Sequence, residues 1–278
     1  MAIVLALLAA LSYGLSDFLG GVVSRRTSAW SVAFVGALSS LAFAVVTAPF
    51  FDGSPRASDF AWAAAAGLGS GTGVGFLYRG FSQGRMSAVA PVSAVGAAIV
   101  PVAFGVVGGE RPALLAWVGI AVALPAIWLV SSTPTEPLDD APVTSGMVDG
   151  VLAGLGFGLL FACIGQVPST SGMWPLATAQ LVSIPAVTVL AATLGGAWRP
   201  RGRLVWWALL CGPFGGAANL LFLLATQRGF LTVSSVLTAL YPASTVVLAL
   251  VVLHERVHRA QVVGLALCAV TVALVTVG

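Results

Sequence analysis

The sequence predicts an all-α integral membrane protein of ten transmembrane helices, arranged as two inverted five-helix repeats. Three observations carry this. Of 278 residues, 59% are hydrophobic and only 8% charged, where soluble domains carry about 25% charged residues. Ten apolar runs occur, each of about 20 residues and so long enough, at 1.5 Å per residue, to cross a hydrocarbon core of about 30 Å. The second half of the chain also repeats the first at an offset of 145 residues.

The first run, 2–23, lacks the basic leader of a signal peptide and continues through Asp17 to Arg25 and Arg26, so it is read as helix 1. Helix 2 covers 30–50. Helix 3, 59–79, contains the glycine-dense stretch GLGSGTGVGFLYRG. That stretch has no G-x-G-x-x-G spacing for a dinucleotide loop, whereas Gly67, Gly71 and Gly75 fall four apart on one helical face. Gly69 and Gly73 smooth a second face, and the whole suits close helix packing. Helix 4, 86–107, ends at the pair Glu110-Arg111, and helix 5 covers 112–131. The polar stretch SSTPTEPLDDAPVTSG then supplies a linker, 132–146, between a first repeat at 1–131 and a second at 147–278. Helices 6 to 10 follow at 147–167, 174–196, 204–226, 231–253 and 259–277. No run shows the strict alternation of a lipid-facing β-strand, which leaves helices as the spanning structure.

The repeat is carried by rare residues. Adding 145 takes Trp62 to Trp207, Gly67 to Gly212, Gly71 to Gly216, Gly84 to Gly229 and Glu110-Arg111 to Glu255-Arg256. Five helices per copy is an odd number, so the second copy enters the membrane from the opposite side. Such inverted repeats suit alternating access, because two equivalent halves can exchange conformations. Simple duplication in a structural membrane protein is the plainer alternative.

In each half a short connection leads from the third helix into the fourth, seen in FLYRGFSQGRMSAVAPVSAVGAAIVPVAFGVVGGER and LFLLATQRGFLTVSSVLTALYPASTVVLALVVLHER, and a Glu-Arg pair closes the fourth helix. With YGLSDFLGG in helix 1, this pattern resembles the ten-helix EamA type of the drug/metabolite transporter superfamily across nearly the whole chain. The resemblance implies a secondary carrier in the cell membrane, often an exporter of amino acids, metabolites or drugs.

Asp17 is the one acidic residue that these spans place well inside a helix. A carboxylate at the centre of a membrane helix costs about 2.5 to 3.5 kcal/mol even on insertion scales, so it marks a proton, ion or substrate path more readily than a lipid-facing position. The alternative is an anchor snorkelling to Arg25 or Arg26, although Arg25 lies about 12 Å away along a helix. Tyr13 shares the face of Asp17. Gln180, Asn219 and Tyr241 complete the candidate polar lining, each with structural hydrogen bonding as the competing role. Gly67, Gly71, Gly75, Gly212 and Gly216 are expected to pack helices. The pairs Glu110-Arg111 and Glu255-Arg256 are expected to fix helix ends at the headgroups, with gating as the alternative.

His254 and His258 lie four apart without a third ligand, no H-E-x-x-H or G-x-S-x-G motif occurs, and nothing calls for a metal or cofactor. Basic runs interleaved with aromatics are absent, against a nucleic-acid role. Without a nucleotide-binding motif, direct drive by ATP is not expected. The expected partners are a small-molecule substrate, the lipid bilayer and protons, and a monomer suffices because both halves share one chain. An integral-membrane enzyme or a non-transporting scaffold subunit are the competing readings. Nine arginines fall on the loops away from the termini and three on the termini's side, which favours outside termini by the positive-inside rule. The family resemblance implies inside termini, so the two expectations oppose each other.

Overall fold

The computed structural model describes residues 1–82, 86–131, 144–252 and 258–277. Among them are ten helical spans long and apolar enough to cross a membrane, and no strand. The first half supplies α1 (Ala2–Ser24), α2 (Ala29–Thr47), α3 (Ala57–Ser82), α4 (Met86–Val107) and α5 (Leu114–Ser131). The second supplies α6 (Thr144–Ile164), α7 (Trp174–Thr193), α8 (Cys211–Thr226), α9 (Leu231–Thr238), α10 (Tyr241–Val252) and α11 (Arg259–Val277). Backbone N–H and C=O groups find no water in hydrocarbon, so each span satisfies them internally as a helix.

Two spans depart from a plain helix. The eighth begins as a 3-10 turn, Leu204–Leu210, before α8. The ninth is interrupted at Ala239 and Leu240, between α9 and α10. Pro242 then stands in the first turn of α10, where its missing N–H is harmless.

The principal helix pairings all join one half to the other: α3 packs on α6 and α7, α4 on α6, α1 on α8 and α10, α2 on α7 and α8, and α5 on α11. The two repeats therefore interlock in one body. The contacts obey the inversion, since α3 on α7 has its mate in α8 on α2. A Cβ at Gly71 would come within 2.7 Å of the Ser183 carbonyl and the Ala186 side chain of α7, while one at Gly216 would come within 2.6 Å of the Phe43 ring of α2. Gly67 abuts the Ala179 backbone of α7, and its mate Gly212 abuts Ser39 and Ser40 of α2. The second smooth face of α3 meets α6, with Gly69 at the Gly156 carbonyl and Gly73 against Phe157; Gly75 receives Trp30. Packing, with no water to expel, holds membrane helices together, and these glycines supply the close approach.

Candidate functional site

A cavity of about 60 Å³ lies between α1, α2 and α3 of the first half and α6, α7 and α8 of the second, the six mates of the inverted repeat. Its lining runs from the middle of the helices towards the ends opposite the termini. In this conformation it has room for a few waters, well below the roughly 300–1,000 Å³ of a ligand pocket.

Four residues singled out in the sequence meet there: Tyr13 and Asp17 from α1, Gln180 from α7 and Asn219 from α8. The α1 face is set by the helical period, which brings Tyr13, Ser16, Asp17 and Gly20 to the inside. Tyr13 donates from its hydroxyl to Asn219 Oδ1 at 2.7 Å, and Asn219 Nδ2 donates to the Gly215 carbonyl at 2.9 Å. Ser16 donates to the Cys211 carbonyl at 3.1 Å. Asn219 therefore spends its amide on the bundle. Gln180 does not, for its Nε2 is buried without a hydrogen-bond partner among the described residues.

The Asp17 residue is only 8% exposed, and no hydrogen bond or ion pair to its carboxylate is found among the described residues. Tyr13, Tyr78 and Cys211 share the cavity wall with it. Tyr241 stands behind the lining, its ring centroid 6.3 Å from that of Tyr13. All three tyrosines of the chain thus gather around one carboxylate.

Sequence reasoning missed Tyr78 and Cys211. Tyr78 sits one residue before Arg79 near the end of a span and reads as an interface residue; in the structure its hydroxyl is tucked against Gly20, where any side chain would collide with it. Sequence reasoning also missed a second buried acid: Asp149, early in α6, is 3% exposed and lies 3.6 Å from Arg79 Nη1 of α3. Its position beside the polar linker hides it among solvated residues. Asp59, at the start of α3, is buried as well and accepts from the Arg56 N–H at 2.8 Å and the Ser171 hydroxyl at 2.6 Å.

Most of the remaining candidates lie elsewhere. Gly71 and Gly212 reach the cavity wall, whereas Gly67, Gly75 and Gly216 serve helix contacts outside it. Glu110 turns inward from the loop after α4: its carboxylate accepts from the Leu231 and Thr232 N–H groups at 2.5 and 2.8 Å, the open first turn of α9. Arg111 stays at its own helix end, donating to the Val106 and Glu110 carbonyls. Glu255, Arg256 and His254 lie outside the described residues, and His258 is exposed ahead of α11.

The comparisons with known proteins agree with this architecture. One solved crystal structure superposes with a TM-score of 0.74 at 15% identity, covering 99% of this chain and 96% of its own, a likeness of fold alone. No curated protein matches. The EamA-like transporter family matches residues 1–132 and again 144–277. With ten spans, two copies of the family's repeat and a cavity enclosed by mates from both, this chain belongs to the EamA-like transporter family.

Proposed function

We propose that the chain is a secondary carrier of the cell membrane, moving a small molecule by alternating access, with Asp17 as the group that exchanges a proton or substrate charge. One observation carries the reading: a carboxylate with no ion pair among the described residues is buried where helices 1 to 3 of one inverted repeat meet their mates of the other. Inverted-repeat carriers place their sites at such a repeat interface near the membrane midplane. A bare carboxylate in that setting costs folding energy, which supports a functional role over an anchoring one. The narrow cavity fits an occluded conformation that widens towards one side and then the other.

Tyr13, Gln180, Asn219 and Tyr241 surround the path, and the close glycine contacts between halves are the surfaces that shift. Among the described lining residues the cavity holds no second carboxylate, histidine or arginine to share acid and base work, which weighs against an enzyme. The test is uptake by purified protein in liposomes, screening amino acids and amine metabolites with and without a pH gradient. Asp17→Asn should remove gradient-driven accumulation. Full pH-driven transport by Asp17→Asn would overturn the coupling role.

A further inference from the structure

We infer that the cavity selects small organic monocations: a protonated amine joined to a neutral hydrogen-bond acceptor such as an amide or ketone carbonyl. The inference rests on the carrier reading above and adds the charge of the cargo. Asp17 brings the only formal charge among the described lining residues, and none of the described arginines lines the cavity. A free carboxylate or phosphate would therefore meet an unpaired anion with no cation to receive it, whereas an ammonium group completes the missing ion pair. Tyr13, Tyr78 and Phe157 add aromatic rings to the same wall, a surface more hospitable to a cation than to an anion.

The second determinant is independent of the first. Gln180 Nε2 is buried, lacks a partner among the described residues and belongs to a cavity-lining residue. An amide N–H left bare in hydrocarbon is costly, and it donates. Asn219, its nearest counterpart in chemistry, is already committed to Tyr13 and Gly215. Besides hydroxyls, the site thus offers one charged acceptor and one free amide donor, a pattern that an ammonium and a carbonyl satisfy together and that a zwitterion satisfies only by bringing an uncompensated carboxylate inside.

N-acetylethylenediamine carries both groups, and three compounds of similar size separate the possibilities. Equilibrium binding of radiolabelled N-acetylethylenediamine to the purified full chain at neutral pH is competed with N-propylacetamide (neutral isostere), 5-aminopentanoate (zwitterion) and N-acetylglycine (anion). The monocation should bind saturably and at least about tenfold more tightly than each competitor. Asp17→Asn should bring the monocation down to about the affinity of N-propylacetamide, Asp17→Glu should restore part of the preference, and Gln180→Leu should weaken the monocation and the neutral isostere by a similar factor. No saturable binding of the monocation, equal binding of the zwitterion or anion, or a preference that survives Asp17→Asn in folded protein overturns the inference. Binding without liposomal uptake would sink the carrier reading and leave the charge assignment standing; uptake of the zwitterion independent of Asp17 would do the reverse.

Discussion

The Tyr13 hydroxyl donates to Asn219 Oδ1 at 2.7 Å, tying the first span to the eighth across the boundary between the repeats. Both residues are buried, and Asn219 uses its other amide atom on the Gly215 carbonyl, so the bond fixes the amide's orientation. Membrane hydrogen bonds of this kind contribute about 0.6 kcal/mol on average and about 1.7 at most. Tyr13→Phe should lower thermal stability by about that amount, since it leaves Oδ1 without a donor. Asn219→Leu should cost a similar amount, and the double variant should cost less than the sum, as contacting partners couple. A strictly additive double variant in thermal unfolding would show that the bond does not hold the two helices.

Glycine substitutions should divide by what a Cβ would meet. At Gly36 the nearest atom is 3.8 Å away, ordinary contact, and Gly36→Ala should be neutral or slightly stabilising because alanine favours the helix by up to about 1 kcal/mol. At Gly71 and Gly216 the same change drives into α7 and α2, and overpacking costs about 1–3 kcal/mol. Gly71→Leu and Gly216→Leu should lose folded protein outright. Melting temperatures of detergent-solubilised variants, ordered Gly36→Ala above wild type or equal to it and Gly71→Ala below, check the claim. Equal melting of all would show that the α3/α7 and α8/α2 contacts are loose.

What could be read from the chain follows from how each feature is encoded. Trp62 and Trp207, or Gly71 and Gly216, are rare or spacing-dependent enough to survive comparison between halves, so the inverted architecture and the packing helices are visible in one dimension. Asp17 stands out because a charge deep in an apolar run has no cheap alternative. Tyr78 does not, because a tyrosine beside an arginine near a span end has an ordinary interfacial role, and only the approach of Gly20 turns it inward. The break at Ala239 and Leu240 is equally hidden: Pro91, Pro101, Pro125 and Pro185 all sit within unbroken helices, so Pro242 gives no distinctive signal.

The ion pair of Arg79 with Asp149 joins the ends of α3 and α6 on the side towards which the cavity lining runs. Arg79 is about one third exposed at its side chain, so the pair is screened on one flank, while Asp149 is enclosed. Removing the cation leaves a buried carboxylate without this partner, the costlier of the two losses. Arg79→Gln should therefore destabilise more than Arg79→Lys, and raising salt should narrow the difference only slightly, because enclosed charges are weakly screened. Chemical denaturation of the two variants at low and high salt gives the answer, and identical midpoints would show that the pair contributes nothing.

Glu110 offers the sharpest separation between a charge that sits in a loop and one that completes a helix. A headgroup anchor tolerates exchange with its neighbour, because either sign finds water or lipid phosphate. A cap does not: the first N–H groups of α9 have no intrahelical acceptor, and only an acceptor side chain satisfies them. Glu110 reaches two of them, Leu231 and Thr232, from the other half of the molecule, and a carboxylate also favours the positive end of the helix. Glu110→Ala should then cost about 1–2 kcal/mol, near the upper range for caps because the N–H groups are partly enclosed. Glu110→Gln should recover part of this, keeping an acceptor and losing the charge. The exchange Glu110→Arg with Arg111→Glu preserves net charge yet puts a donor against donors, so it should destabilise at least as much as Glu110→Ala. Because the bond spans the two halves, loss of the cap should also increase hydrogen exchange at Leu231 and Thr232 while leaving the first turn of α7 unchanged. Unaltered exchange at those two amides in Glu110→Ala would return the residue to the role of a surface charge.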